Sequence, residues 1–170
     1  DANLLGWEQL GSGRVGISFG SSAGDTQAFV DFGNMLMNSS SDGLNANSYI
    51  KMMSHTGPVN IGVHFGIRGR VITTSSACTS GSQGIGYAYE AIKFGTQDVM
   101  VAGGSEGLCP TEAAVFDTLY ATSVVNDTPH LSPRPFDRDR DGLVIGEGGG
   151  VLILEELEHA RARGARIYAE

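Results

Sequence analysis

Cysteine is scarce: Cys78 and Cys109 are the two in 170 residues. They lack metal-ligand spacing, and no multi-cysteine framework surrounds them. A disulfide scaffold is therefore excluded, and a reducing compartment, by default the cytoplasm, is expected. No apolar run of 18 residues occurs, so no helix of membrane-spanning type is encoded, and no charged-then-apolar signal segment leads the sequence. Basic residues are outnumbered, 11 Lys and Arg against 19 Asp and Glu, for a formal charge of −8. That balance argues against a broad nucleic-acid-binding face. No metal site and no bound cofactor is expected.

What is present is a core. The chain is 41% hydrophobic and 18% charged, enough apolar material for one domain and too little charge for a disordered tail. Glycine is abundant, with 25 residues where an average soluble protein has roughly 7%. No G-X-Y or 20–50-residue period accompanies them, so collagen and solenoid architectures are excluded. Clusters such as Gly103-Gly104 and Gly148-Gly149-Gly150 imply backbones that approach closely or turn sharply. The sequence opens at Asp1 without Met and stops at Glu170, inside what reads as a strand over 166–169; both ends are expected to be cuts.

Residues 4–10 read as the end of a short helix, and 14–19 alternate as a strand. Asp25 can cap a helix through Phe29, Phe32 and Leu36; residues 38–47 read as a loop; and a further helix carries Val59 to Gly66. Val71-Ile72-Thr73-Thr74 is β-branched throughout and reads as a buried strand, followed by a turn at 75–78 and a helix over 79–94 closed by Gly95. Val99-Met100-Val101-Ala102 is the next strand, so the order is strand, helix, strand: a βαβ unit in a parallel sheet. Pro129, Pro133 and Pro135 mark an irregular segment, after which 151–154 reads as a strand and 155–163 as a helix closed by Gly164. The fold class is α/β.

Cys78 sits between a buried strand and the first turn of a helix. Free N–H groups and the positive end of the dipole at such a place favour thiolate over thiol, and the same N–H groups can face a developing oxyanion. The plain alternative is a small buried hydrophobe, the commoner role of free cysteine. Cys109, before Pro110, reads as lying away from a helix start and has less claim to chemistry. Gly81, Gly84 and Gly86 weaken their helix, which implies tight packing against other backbone.

Ser76-Ala77-Cys78-Thr79-Ser80-Gly81 resembles the nucleophile motif of the β-ketoacyl-acyl-carrier-protein synthases. Three more segments follow in the family's order. They are the strand and GG-x-E turn over 98–106, the PFD…RDGFV…GEGAG signature at Pro135-Phe136-Asp137, 140–144 and 146–150, and the helix and strand over 154–170. The resemblance implies the thiolase-like layered α-β-α-β-α architecture, of which residues 1–170 are most of the N-terminal, nucleophile-bearing half. It implies Cys78 as the residue that takes the acyl group, with its backbone N–H as half of the oxyanion hole. It also implies Phe116 as the gate of the substrate pocket, Ala23 as the position that limits acyl length across a dimer, and acyl carrier protein as partner. Homodimers in this family place the strand leading to the nucleophile at the interface. The family's two catalytic histidines, its lysine and the second oxyanion donor lie in a later half with no counterpart here; His55, His64, His130 and His159 match none of them. The 170-residue chain alone is therefore not expected to condense substrates.

Competing readings have specific weaknesses. Asp137 to Gly142 opens like a calcium loop, but the acidic ligand due at position 148 is Gly148. The interleaved arginines suggest Arg–carboxylate pairs instead. A non-catalytic, synthase-like partner subunit typically lacks the nucleophile that is retained here. A thiolase-type enzyme fits the PFD and GEG segments less well. An α/β-type cysteine hydrolase wants glycines where Ser76 and Ser80 stand. His159, among Glu155, Glu156 and Glu158, reads as a solvated surface residue.

Overall fold

Large and small side chains alternate along Val15-Gly16-Ile17-Ser18-Phe19-Gly20, and this strand, β1 (Val15–Gly20), sits at the centre of the fold. The computed structural model describes residues 2–170. The sheet has four strands in the order β2 (Val71–Thr74), β1, β3 (Val99–Glu106) and β4 (Gly148–Glu155). β1 is parallel to both neighbours, with Ile17 opposite Val71 on one side and Val101 on the other. The expected βαβ unit is β2, α4 (Ser80–Lys93), β3. Its two strands are not adjacent, because β1 lies between them.

Two cores follow from the alternation. Val15, Ile17 and Phe19 join Ile67 and Val99 on one face, with Leu10 and Ile61 packed against them. Ala88 and Ala91 of α4 meet Met100 and Ala102 of β3 in the second cluster. Each fully buried Val or Ile contributes about 1.5–3 kcal/mol. The small side of β1 lets α4 come close: a Cβ on Gly84 would lie 3.0 Å from the Ser18 carbonyl oxygen, and one on Gly20 would lie 2.5 Å from that of Ser80. Of the three helix glycines, then, Gly84 is tightly packed, Gly81 meets Gly104 at an ordinary 3.8 Å, and Gly86 meets nothing within 4 Å. Gly103 explains the paired glycine clusters. Its φ is +151°, and a side chain there would overlap the Gly150 carbonyl.

Helices α1 (Gln27–Asn38), α2 (Ala46–Lys51) and α3 (Thr56–Phe65) connect β1 to β2. Asp25 accepts the Gln27 N–H at 2.9 Å, as its position suggested, and Gly66 closes α3 in the left-handed conformation. The loop read over 38–47 ends earlier than expected, because α2 starts at Ala46. Asn45 accepts the Asn47 N–H at 2.9 Å and Ser48 accepts that of Asn45 at 3.3 Å, a polar capping box in a stretch without apolar period. The strand read over 166–169 is not formed: among the described residues none pairs with 166–169 in a ladder, and a strand needs a ladder to satisfy its backbone.

The chain divides into two compact units, one running to Glu106 and resuming at Gly149, the other Gly107–Gly148. The second contains α5 (Pro110–Thr118), for which the sequence reading assigned no element. Pro110 at its first position is a helix-start signal, since proline at the first helical position gives up no hydrogen bond. Farther along this unit, Asp141 accepts from the Ser123 hydroxyl, from the Ser132 hydroxyl at 3.1 Å and from the Val124 N–H at 3.2 Å. These bonds, the Ser123 hydroxyl foremost, hold its carboxyl below the usual range. Arg134 and Arg140 donate instead to the backbone carbonyls of Asp139 and Asp137. Hydroxyl and backbone partners, more than the expected Arg–carboxylate pairs, tie this loop; Arg138–Asp139 is an exposed pair at 3.2 Å.

α6 (Leu157–Ala162) changes the reading of His159. Its Nδ1 lies 2.6 Å from Glu155 Oε1, and its ring meets Trp7 edge-on at 5.6 Å. Arg163 donates to both Glu155 oxygens, at 2.7 and 2.6 Å. Burial pushes the Glu155 carboxyl up, but the Arg163 guanidinium and His159 outweigh it and hold it below its ordinary 4.5. A depressed carboxylate contributes stability that is complete above 4.5 and lost as pH falls through the lower, folded value. Glu155→Gln should therefore lower stability by about 2 kcal/mol at neutral pH, the scale of hydrogen bonds to a charged group. Urea midpoints of the two proteins should draw together as the pH falls from 4.5 through the lower, folded value, and a gap that does not narrow over that descent contradicts the assignment.

Candidate functional site

The turn between β2 and α4 carries Cys78, whose side chain is exposed. The preceding residue, Ala77, has φ +54°, a left-handed conformation that costs a non-glycine residue about 1–2 kcal/mol. Ser80 holds it in place. Its hydroxyl donates to the Ala77 carbonyl at 2.6 Å and accepts the Ser76 N–H at 2.8 Å, while its own carbonyl accepts the Thr74 hydroxyl at 2.7 Å. Ser80 is only 4% exposed, so these bonds are shielded from competing water. The Thr79 hydroxyl donates to the Ser76 carbonyl at 2.9 Å, and the Ser76 hydroxyl donates to Gln83 at 2.8 Å. The result is a strained, over-determined turn that presents one thiol at the head of a 14-residue helix.

Ala23 lies half-buried in the segment after β1. The structure brings this segment against the nucleophile turn: the Ser22 carbonyl accepts the hydroxyls of Ser75 and Ser54, each at 3.3 Å. Glu106, at the end of β3, holds the same segment, accepting the Ser22 N–H at 2.6 Å and the Ala23 N–H at 3.3 Å, with the Ser21 hydroxyl, which also donates to the Ala23 carbonyl, at 3.2 Å. No local pattern in the sequence marks Ser80 as holding the turn or Glu106 as holding this segment. Phe116 is half-buried on α5, in the second unit. Cys109 is at the N-cap of α5 and not away from a helix start, yet it is 2% exposed, with its sulfur 2.7 Å from the Thr111 hydroxyl oxygen. Of the other histidines, His64 meets Phe65 edge-on at 4.7 Å, His55 stands at the start of α3, and His130 lies in a short turn over 129–131. Among the described residues no cluster of three or more His, Cys, Asp or Glu is arranged to hold a metal ion.

A strand-to-helix turn that offers one exposed thiol is suited to covalent acyl capture. The profile of the family described as "Beta-ketoacyl synthase, N-terminal domain" matches residues 2–160. The chain belongs to that family. This ketosynthase segment is 40% identical to 3-oxoacyl-[acyl-carrier-protein] synthase 1 of Escherichia coli (strain K12) over 173 residues, covering 100% of this chain and 42% of that protein. A solved beta-ketoacyl synthase from Burkholderia phymatum STM815 superposes with a TM-score of 0.91 at 54% identity, covering 96% of this chain and 40% of the other. The AntDE:AntF complex, a type II polyketide synthase acyl-carrier protein with its ketosynthase bound to the hexaketide, matches with a TM-score of 0.77 at 30% identity, over 92% of this chain and 40% of that one. The ketosynthase segment thus spans less than half the length of the curated relatives it matches, and its mixed α/β fold is that of solved, thiolase-like ketosynthases.

Proposed function

We propose that residues 1–170 are the nucleophile-bearing N-terminal part of a β-ketoacyl-[acyl-carrier-protein] synthase of fatty-acid elongation, a cytoplasmic homodimer served by acyl- and malonyl-loaded carrier protein. The observation that carries this reading is the exposed Cys78 thiol on its pinned left-handed turn at the head of α4. The Cys78 thiolate attacks the acyl thioester carbonyl and the carrier thiol leaves, so the acyl group is held on sulfur. Malonyl-carrier then loses carbon dioxide to give an enolate. The enolate carbon attacks the Cys78 thioester and expels the thiolate, releasing β-ketoacyl-carrier. The Cys78 N–H serves as one oxyanion donor in each attack.

The decarboxylation groups belong to a second half. An apolar groove of about 650 Å³, lined by Leu4, Leu5, Leu10, Phe65, Val151 and Ile153, supports such a covering partner. So does the exposure of Val151 and Leu152 on β4, 56% and 53%. The unpaired outer edge of β2, with Val71 43% exposed, supports pairing with a second copy. Ala23 is assigned to the far limit of the acyl pocket.

In the synthase spanning both halves, incubation with acyl-carrier protein should add one acyl group to Cys78, and malonyl-carrier should remove it as β-ketoacyl product. Acylation elsewhere, or none, overturns the proposal. Ala23→Ile should shorten the accepted chain by roughly the added methylenes, lowering kcat/KM for longer substrates about tenfold per obstructed group. An unchanged chain-length profile of products removes Ala23 from the pocket.

A further inference from the structure

We infer that Glu106 is a positioning residue that sets acyl-chain selectivity by locking the segment carrying Ala23 to the nucleophile turn; this rests on the reading of Cys78 and Ala23 given above. The geometry is a continuous strut. Both carboxylate oxygens of Glu106 are engaged: Oε2 accepts the Ser22 N–H at 2.6 Å, and Oε1 accepts the Ala23 N–H at 3.3 Å, with the Ser21 hydroxyl at 3.2 Å. The same peptide chain passes the constraint on, because the Ser22 carbonyl receives the Ser75 and Ser54 hydroxyls at 3.3 Å each, and those hydroxyls lie 3.3 Å apart. Ser75 directly precedes the Ser76–Ser80 hydrogen-bond network that pins Cys78. One acidic side chain at the end of β3 therefore fixes the spacing between the wall of the acyl pocket and the sulfur that holds the acyl group.

A carboxylate is suited to this task and its isosteric amide is not. Two backbone N–H groups, those of Ser22 and Ala23, converge on separate carboxylate oxygens, while the Ser21 hydroxyl, which also donates to the Ala23 carbonyl, lies 3.2 Å from one of them. Glutamine replaces one acceptor with an NH₂ group that faces a donor, leaving at least one N–H unmatched and pushing the segment away. The pocket wall then shifts relative to Cys78, while the turn keeps its own Ser80 bonds. Selectivity should respond more than thiol reactivity.

The test uses the synthase spanning both halves and compares wild type, Glu106→Gln and Ser75→Ala. For each, kcat/KM is measured on short and long acyl-carrier substrates, together with the rate of Cys78 alkylation by iodoacetamide read by intact mass. The ratio of long- to short-chain kcat/KM should move about fivefold or more in Glu106→Gln, the scale of an unmet backbone donor, and in the same direction in Ser75→Ala. Cys78 alkylation should stay within about twofold of wild type. A uniform fall for all chain lengths, with the ratio unmoved, would make Glu106 a purely structural residue and overturn the inference. Should Glu106→Gln fail to fold, Ser75→Ala decides from the other end of the strut: an unmoved ratio there overturns it too. Absence of a Cys78 adduct in wild type would instead overturn the nucleophile reading, a separate outcome.

Discussion

Cys78→Ala in the synthase spanning both halves abolishes condensation, lowering turnover by at least about 10³-fold, as removal of a covalent nucleophile does elsewhere. No neighbouring thiol can replace it. Cys109 is buried at the N-cap of α5 with its sulfur against the Thr111 hydroxyl. Because Cys78 is exposed, its loss should leave stability within about 0.5 kcal/mol. Cys109→Ala should behave oppositely, retaining condensation while losing about 1–2 kcal/mol for a buried side chain exchanged for a smaller one. Urea denaturation together with product formation separates the two. Condensation that survives Cys78→Ala places the acyl group on another residue.

Gly20→Ala produces the second large effect, this time on folding. The added Cβ would lie 2.5 Å from the Ser80 carbonyl oxygen, the acceptor of the Thr74 hydroxyl. Both groups are backbone or hydrogen-bonded to backbone, so neither can yield without lifting the head of α4 off β1. A loss of about 3 kcal/mol or more is expected, the upper range for overpacking a tight core. The same displacement should slow Cys78 alkylation. Gly86→Ala, in α4 itself, is the control. Its methyl meets nothing within 4 Å, and removing a helical glycine should add up to about 1 kcal/mol. Equal effects from the two substitutions would mean that β1 and α4 are not held by this close approach.

The parts of this fold that are local in sequence were legible. β1 announces itself by alternation, and α4 by the strand before it and Gly95 after it; β2 shows by its four β-branched residues, though it is a largely exposed edge strand with only Thr74 buried and not the buried strand expected. Cys78 was legible for the same reason, since its chemistry depends on the strand-to-helix junction. What could not be read is what reaches across the chain. Glu106 bonds residues 83 to 85 positions away, and no periodicity encodes such a partner. The short α2 is fixed by a polar capping box, and α5 starts on Pro110 after a buried cysteine, so neither shows an apolar stripe from a distance. His159 misled for the opposite reason: its sequence neighbours are acidic and suggest solvent, whereas Trp7, 152 positions earlier by its number, covers its ring. The segment at 166–169 has strand composition without a ladder partner among the described residues, and composition alone does not make a ladder.

The most direct test of the central claim is site-resolved alkylation of the synthase spanning both halves: brief exposure to iodoacetamide or cerulenin near neutral pH, followed by intact mass and peptide mapping on wild type and Cys78→Ala. The account predicts one adduct, on Cys78, that disappears in the variant and whose formation is blocked by prior loading with acyl-carrier protein. An adduct on Cys109, or an alkylated Cys78 that still permits condensation, would contradict it.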